Sequence, residues 1–445
     1  MDISGLLPSF GNLGFTLLAF VVALTIIVAV HEYGHYIVGR WSGIKADVFS
    51  IGIGPVLLKR TDKHGTQWQI AAFPVGGYVK FHGDANAASG KGDEEELAAM
   101  DAGEKRSTLH GAPLWARAAT VAAGPVFNFI LSTFVFAGFL FTQGIASEPL
   151  TIAELEAVPG IEGTLAPGDQ ILSINGIDTP PLDDFNDMLA QLPAISPLTY
   201  VVEREGGTLT LEAPHPYPPF VGGISPDSAA LDAGIQAGDV IVSAGGVPIA
   251  TFEQLRDMVG AGDGAEIALG LMREGQPLDV TLTPRRVDLP NAEGGFETRW
   301  LIGITGAMIF TPETRTPGIG ESLSYGANQT VFIVRSSLSG LYHMVTGAIS
   351  SCNLRGPIGI AETSGQAASQ GLSSFIWFIA VLSTAVGLLN LFPIPVLDGG
   401  HLMFHAFEAI AGRPPSDKAM NILMTIGLVL VLSLMVFGLS NDLFC

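Results

Sequence analysis

The sequence predicts a polytopic α-helical membrane protein with four transmembrane helices, a membrane-associated β-hairpin and two inserted α+β domains. Four long apolar segments, a glycine-centred run of alternating apolar residues and a repeat in the longest polar stretch support this prediction. The 445 residues are 48% hydrophobic and 14% charged, yet the net charge is -21. The acidic residues must therefore be concentrated outside the membrane, and a chain this negative is not expected to bind nucleic acid.

Four apolar segments are each long enough to cross the hydrocarbon core of a lipid bilayer, which is roughly 30 Å thick. The first segment lacks the basic start and the small-residue cleavage site of a signal peptide, so we expect it to be retained. The four segments are Leu13 to Val38, Leu114 to Phe141, Phe375 to Pro393 and Ile422 to Leu439.

Basic residues set the expected orientation of these segments. Every lysine lies between Arg40 and Arg117 or at Lys418, and neither tail of the chain contains lysine or arginine. Because basic residues accumulate in cytoplasmic loops, residues 41–113 and 400–420 should be cytoplasmic. Both termini and the large region between the second and third segments should then lie outside, in the periplasm or its equivalent.

The first apolar segment ends with two histidines. His31 and His35 are four residues apart, with Glu32 between them. On a helix this spacing puts both imidazoles on one face, where they can bind one tetrahedral zinc ion. Zinc lowers the pKa of its water to about 7, and Glu32 can then take the proton as general base. The pattern alone also fits a helix end whose histidines only hydrogen-bond to neighbours.

A second motif runs from Asn390 to Gly400 and contains Asp398. A carboxylate at membrane depth is unfavourable unless it is paired or bound to a metal. Two histidines need a third protein ligand for a catalytic zinc site that keeps one position open, which favours Asp398 as that ligand. Taken alone, Asp-Gly-Gly would be ordinary turn chemistry.

These motifs resemble those of the site-2 protease family of intramembrane zinc metalloproteases, most closely its bacterial regulator-of-sigma-E protease branch. The resemblance implies that His31, His35 and Asp398 bind Zn²⁺. It implies that Glu32 is the catalytic base. The matching motifs are residues 31–35, 73–80, 124–128, 356–361 and 390–400.

The same resemblance implies the reaction and its setting. The protein would be a zinc endopeptidase of the bacterial inner membrane that cuts transmembrane segments of single-span proteins, with its active site towards the cytoplasmic side. Its substrates would already be trimmed on the outer side, such as a membrane-bound anti-sigma factor in envelope stress signalling, or would be leftover signal peptides. Residues Asn390, Pro393 and Pro395 would help to position the substrate strand. The segment from Asn390 to Pro395 is itself expected to be a strand that clamps the unwound substrate together with the Gly76 hairpin.

A β-hairpin is predicted around Gly76 and Gly77, because apolar residues alternate from Phe73 to Phe81. The family resemblance implies that this hairpin dips into the membrane beside the active site, where both glycines would contact an extended substrate. Irregular backbone at that depth must be buried in protein or face a water cavity. A cytoplasmic hairpin without substrate contact is the alternative.

The large outer region contains a repeat with an offset of about 70 residues, which indicates two copies of one fold. Pro167 to Gly176 aligns with Ala237 to Gly246. Each copy has a Gly-Asp turn, a short strand, a glycine turn and a short amphipathic helix, which resembles a PDZ domain. The first copy departs from the PDZ pattern at residues 158–163. The two PDZ-like copies would bind a peptide as an added strand, or they would act as a filter that excludes folded outer domains. We favour the filter.

The expected domain limits follow from these elements. Residues 319–349 have helical apolar spacing, so they would form an interfacial helix or pack against the second repeat. The expected regions are the first transmembrane helix (1–41), the hairpin region (42–113), the second transmembrane helix (114–142), the two PDZ-like domains (143–215 and 216–288), a periplasmic linker with the interfacial helix (289–372), the third transmembrane helix (373–400) and the cytoplasmic link with the fourth (401–445).

The remaining histidine and cysteine patterns are weaker. His401 and His405 are four residues apart, but no glutamate follows His401, so we expect packing roles. Cys352 and Cys445 are too few for a zinc site, and nothing in the sequence supports a disulfide between them.

Two other classes of protein share some of these features. A membrane-anchored PDZ scaffold with a structural zinc site is one, but such a site has no need of Glu32. A proton or ion transporter is the other, but the only evident repeat lies in the polar insert rather than in inverted membrane halves.

Overall fold

The computed structural model describes residues 10–84, 99–156, 164–225, 228–291 and 295–445. The chain divides into two compact units. The membrane unit comprises Met1–Gly138 and Gly320–Cys445, and the repeat unit comprises Phe139–Ile319.

The α-helices of the described residues are numbered here in chain order. They are α1 (Phe10–Trp41), α2 (Ala102–Arg106), α3 (Leu114–Gln143), α4 (Phe185–Gln191), α5 (Ala229–Asp232), α6 (Phe252–Ala261), α7 (Ile319–Val345), α8 (Pro357–Ser369), α9 (Leu372–Asn390), α10 (Asp398–Ala411) and α11 (Asp417–Phe444).

The strands of the described residues are numbered in the same way. They are β1 (Ala46–Thr61), β2 (Gln67–Phe81), β3 (Ile145–Ala146), β4 (Ile152–Leu155), β5 (Gln170–Ile174), β6 (Ile177–Asp178), β7 (Leu198–Arg204), β8 (Gly207–Ala213), β9 (Val221–Ile224), β10 (Val240–Ala244), β11 (Val247–Pro248), β12 (Ile267–Arg273), β13 (Gln276–Leu282), β14 (Arg285–Pro290), β15 (Phe296–Leu301), β16 (Ile304–Gly306), β17 (Phe310–Pro312) and β18 (Thr314–Arg315).

Within the described chain, four helices are long and apolar enough to cross a membrane, namely α1 from Leu13 onwards, α3, α9 and α11. Each overlaps one of the four predicted segments, which confirms that these segments form helices of membrane-spanning length; α9 ends at Asn390, before the predicted limit at Pro393. α11 exposes large apolar side chains, including Ile426, Val429 and Val436. A helix with apolar residues all round is typical of a membrane span.

α7 covers most of the segment that was expected to be an interfacial helix. It exposes Phe332, Tyr342 and Val345. Its position at a membrane surface stays a prediction.

β1 and β2 form a folded-over ribbon, and the residues of the predicted hairpin, Phe73 to Phe81, lie together within β2 rather than on two strands. Ser50 of β1 aligns with Tyr78 and also with Gln69, so this part of β1 lies between the two ends of β2. The chain bends back at Gly52, whose φ of 87° is a conformation that favours glycine.

The ribbon packs against the ends of α1 and α3. Phe49 and Phe81 are buried together with Tyr36 of α1 and Ala116 of α3. A Cβ added to Gly39 of α1 would lie 2.8 Å from Phe81 Cε1, so glycine permits this close approach. The packing fixes the ribbon beside the helix that carries the paired histidines.

α10 begins at Asp398, and its other end is tied to α3. Arg117 Nη1 and Nη2 donate to Glu408 Oε2 and Oε1 at 2.9 and 2.6 Å. Bidentate pairs of this kind fix relative orientation as well as contributing energy. The start of α10 is therefore held in a defined position within the membrane unit.

Cys352 and Cys445 form a disulfide, which nothing in the sequence had supported. The end of α11 returns to the segment before α8, where the Gly356 amide donates to Asp442 Oδ1 at 2.7 Å. This contact brings the two cysteines together. Their sequence separation of 93 residues gave no sign of it.

The repeat unit contains two four-stranded antiparallel sheets with the same strand order. One has the order β6-β5-β7-β8 and the other β11-β10-β12-β13. The matching order agrees with the sequence repeat and indicates two copies of one arrangement. Residues 158–163, where the first copy departs from the pattern, lie outside the described residues.

Each copy contains the same ion pair, between a buried aspartate and a partly exposed arginine. Arg204 Nε and Nη2 donate to the two carboxylate oxygens of Asp169 at 2.6 and 2.7 Å. Arg273 holds Asp239 in the same way at 2.7 and 2.6 Å. Burial alone would raise the pKa of Asp169, but the hydrogen bonds from Arg204 and the Ala166 amide outweigh burial and lower it.

Residues 304–312 fall in the range expected to be a linker, but they contribute strands to both copies. β16 pairs with β9, and β17 pairs with β4. Phe310 is buried in the core of the first copy and Ile302 in the core of the second. Each copy therefore includes residues outside its expected domain limits, which were 143–215 for the first copy and 216–288 for the second.

Candidate metal centre

Three side-chain atoms from α1 and α10 converge in the membrane unit. His31 Nε2 lies 3.2 Å from His35 Nε2 and 3.1 Å from Asp398 Oδ2. His35 Nε2 lies 3.5 Å from the same carboxylate oxygen. The helical spacing of the histidines and the first position of α10 bring these atoms together, as the motifs predicted. Among the described residues, this group has the composition of a metal site.

The distances fit a tetrahedral zinc ion. Ligand atoms about 2.0–2.1 Å from such an ion lie about 3.3 Å from one another. Asp398 Oδ2 is buried and makes no hydrogen bond to any described residue. A buried carboxylate oxygen in that state is unfavourable unless a cation binds it. The donor set therefore fits zinc.

The outer nitrogens of both histidines contact α3. His35 Nδ1 lies 2.8 Å from the Thr120 carbonyl oxygen. His31 Nδ1 lies 3.2 Å from Asn128 Nδ2. Neither contact was predicted, although residues 124–128 were among the motifs that carry the family resemblance.

Gly124 lies between these two contacts on α3. A Cβ added there would collide with His35 Nε2, and it would lie 2.8 Å from His31 Cε1. The missing side chain leaves the space that both imidazole rings occupy. The absence of a side chain at Gly124 therefore has a steric explanation.

Glu32 lies beside the ribbon. A Cβ added to Gly77 would be 3.2 Å from Glu32 Cγ and 2.8 Å from the Ser50 carbonyl oxygen. The Glu32 carboxylate also accepts a hydrogen bond from the Val79 backbone. The structure therefore brings Gly77 next to Glu32, whereas Gly76 lies against Ile53 of the ribbon itself.

The segment after Asn390 is a series of turns, so the expectation that it forms a strand was wrong. Asn390 is the last residue of α9, and its Nδ2 donates to the Val386 carbonyl at 3.1 Å. Pro393 and Pro395 have no amide hydrogen for a strand ladder. Main-chain hydrogen bonds such as Leu397 N to Ile394 O, at 2.8 Å, close the turns instead.

The two glycines after Asp398 lie in the first turn of α10 and pack against these turns. A Cβ on Gly399 would collide with the Leu391 and Phe392 carbonyls, and one on Gly400 would collide with the Ile394 carbonyl. His401 and His405 do not belong to the three-residue metal group of the described chain.

Helices able to cross a membrane and a largely buried two-histidine, one-aspartate group define the class as a membrane metalloprotein. Residues 19–434 match the family model described as Peptidase family M50. The chain belongs to this family, and it is a zinc metalloprotease.

Curated relatives cover almost the full length of the chain. A protein of Agrobacterium fabrum named as a zinc metalloprotease is 37% identical over 426 residues, 95% of this chain and 94% of the relative. One of Rhizobium meliloti with the same kind of name is 37% identical over 432 residues, 97% of each chain. Regulator of sigma-E protease RseP of Escherichia coli is 32% identical over 456 residues, 96% of this chain and 98% of the relative.

Proposed function

We propose that this metalloprotease cleaves transmembrane segments of single-span membrane proteins, with zinc held by His31, His35 and Asp398. The observation that carries the proposal is the site's location. The three donor atoms lie within 3.5 Å of one another, and two of them belong to a helix long and apolar enough to cross a membrane. A hydrolytic site on such a helix acts most directly on a peptide bond at membrane depth.

Glu32 would be the catalytic base. Bound zinc supplies a Lewis acid that polarises the scissile carbonyl. Glu32 takes a proton from the attacking water while the water oxygen bonds to the scissile carbonyl carbon. It then passes that proton to the leaving amine nitrogen as the C–N bond breaks.

The substrate must be extended near the site, because a helical peptide bond is enclosed in its own hydrogen-bond ladder. Gly77 supports a role for the ribbon in holding it. The glycine lies next to Glu32, and a residue without a side chain leaves room for a second backbone. A strand edge at this position would pair with the extended peptide. In this proposal Gly76 shapes the ribbon, and Asn390, Pro393 and Pro395 position the substrate through turns.

The proposed substrates are single-span proteins already trimmed on their outer side. The name of the Escherichia coli relative, regulator of sigma-E protease, supports a membrane-bound anti-sigma factor as one such substrate in regulated intramembrane proteolysis. Leftover signal peptides share the same single apolar span.

The proposed location is the bacterial inner membrane, with both termini and the repeat unit in the periplasm and the zinc site towards the cytoplasmic side. The Cys352–Cys445 disulfide supports this orientation. Both cysteines lie in parts of the chain expected outside, and disulfides persist in oxidising compartments such as the periplasm.

The two copies of the repeat unit would be PDZ-like domains. Their shared strand order and their short helices α4 and α6 support this assignment. We propose that they act as a filter that keeps folded outer domains away from the membrane site. A peptide groove is the alternative role.

The decisive experiment measures cleavage of a trimmed single-span substrate by purified protein in detergent, together with bound zinc. Glu32→Gln should keep its zinc and cut at least about 100-fold more slowly, because a general base contributes that much or more. Glu104 is exposed, so the Glu104→Gln variant serves as the matched control and should cut like wild type. Equal cutting by Glu32→Gln, or a folded wild-type protein that neither binds zinc nor cuts, would contradict the proposal.

A further inference from the structure

Asn128 of α3 contacts His31 through the ring nitrogen that faces away from the donor cluster. The side-chain nitrogen Nδ2 of Asn128 lies 3.2 Å from His31 Nδ1, and Asn128 is fully buried. A polar side chain with no exposure needs hydrogen-bond partners, and the proposed reaction assigns Asn128 no part.

The chemistry of imidazole decides which amide atom must face the ring. When His31 binds a metal through Nε2, its Nδ1 carries the proton and acts as a donor. A donor needs an acceptor, so Oδ1 of Asn128 must face Nδ1. A half-turn of the amide exchanges Oδ1 with Nδ2. In its present position Oδ1 makes no hydrogen bond to any described residue. Turning the amide therefore breaks no hydrogen bond of Oδ1 to those residues.

His35 has the same arrangement with a main-chain acceptor. Its Nδ1 lies 2.8 Å from the Thr120 carbonyl oxygen, which can only accept. The proton of His35 is therefore on Nδ1, and Nε2 is free to bind a metal. Thr120 and Asn128 lie on one face of α3, on either side of Gly124, because they recur at every fourth residue. One helix thus provides an acceptor for each histidine.

The backbone of Asn128 is held firmly. Its carbonyl accepts hydrogen bonds from Ser132 Oγ and Ser383 Oγ, each at 3.0 Å. A Cβ added to Gly387 of α9 would lie 3.1 Å from Asn128 Cβ, so α9 packs closely against this point. A side chain on so fixed a backbone can hold an imidazole ring in one orientation.

We infer that Asn128 is a positioning residue for the zinc site: its Oδ1 accepts the Nδ1 proton of His31 and keeps Nε2 unprotonated and aimed at the metal. The inference rests on the proposed ligand set of His31, His35 and Asp398. Removing a partner of this kind weakens metal affinity by about 10–100-fold.

The experiment measures the dissociation constant of Zn²⁺ by chelator competition with full-length protein in detergent. Asn128→Leu keeps similar volume but removes the acceptor, and we expect zinc binding to weaken by about 10–100-fold. Asn128→Asp keeps an acceptor oxygen and should bind zinc as tightly as wild type. Thr384→Val is the matched control. It also replaces a fully buried polar side chain, whose hydroxyl bonds, within the described part of the chain, only to the Ala380 carbonyl of its own helix.

Rescue by the aspartate separates positioning from general packing. If Asn128→Asp binds zinc as weakly as Asn128→Leu, or if Asn128→Leu binds like wild type, the inference is wrong. Asn128→Ala repeats the comparison without added bulk in case the leucine variant does not fold. His31→Ala tests the ligand set itself: unchanged zinc affinity in that variant would overturn the proposed site. Loss of zinc in His31→Ala with normal binding in Asn128→Leu would overturn only the role of Asn128.

Discussion

A single missing side chain makes room for the imidazole rings of His31 and His35. Gly124 faces both imidazole rings, and an added Cβ would occupy space that His35 Nε2 now fills. Neighbouring helix backbone cannot retreat easily, because Pro125 and Asn128 on the same turn pack against Gly387 of α9. The site is therefore sterically tight at the residue scale, and small additions there should act on metal binding first.

We expect Gly124→Ala to lose most of its bound zinc, since the methyl group must displace one or both rings from the donor cluster. Metal analysis of the purified protein measures this directly. Gly138→Ala is the matched control on the same helix, because an added Cβ there has no atom within 4 Å. Normal zinc content in Gly124→Ala would show that the rings adapt without leaving the metal.

At the scale of elements, each copy in the repeat unit is built around a buried aspartate. Asp169 precedes β5 and pairs with Arg204 at the end of β7, and Asp239 and Arg273 repeat this between β10 and β12. Asp169 and Asp239 are almost completely buried. The Gly-Asp turns recognised in the sequence are thus the anchor points of the two sheets.

Arg204→Met should destabilise the repeat unit near neutral pH, because it leaves the Asp169 carboxylate buried without its cation. The pKa of Asp169 is lower in the folded protein than its ordinary value of about 3.9. Its contribution to stability is therefore present above about pH 4 and lost as the pH falls through the folded-state pKa. That acid-dependent loss should disappear in the variant.

Thermal unfolding of the full-length protein in detergent, followed as the pH falls from about 7 into the acid range below about 4, tests this prediction. Arg256→Met is the control, since Arg256 pairs with the exposed Glu253 and such surface pairs contribute at most about 1 kcal/mol. An equally large loss of stability in both variants would argue against a special role for the buried pair.

At the scale of the whole molecule, the proposed orientation in the membrane rests on charge and on the disulfide. Lysines and arginines near the spans favour a cytoplasmic location for residues 41–113 and 400–420. Cys352 and Cys445 then lie on the opposite side, where oxidation is possible. Two unrelated properties of the chain therefore indicate the same topology.

In intact spheroplasts, we expect a membrane-impermeant maleimide to label Cys352 in the Cys445→Ser variant, because the freed thiol faces the outside. Lys418→Cys, made in a background without Cys352 and Cys445, should be labelled only after the membrane is permeabilised. Labelling of Lys418→Cys in intact cells, with protection of Cys352, would reverse the proposed orientation.

The sequence by itself determined the membrane spans, the pair His31 and His35, the candidate ligand Asp398 and the internal repeat. These features depend on residues close together in the chain, through apolar length, helical spacing and repeated turns. They could be predicted because local patterns encode them.

Only the tertiary structure decided which distant residues meet. The Cys352–Cys445 disulfide, the arginine partners of the buried aspartates, the strands at residues 304–312 and the contact of Asn128 with His31 all join positions far apart in sequence. The turns after Asn390 replaced an expected strand because Gly399 and Gly400 let the chain fold back on itself. Such contacts arise from the packing of whole helices and sheets, which no local pattern specifies.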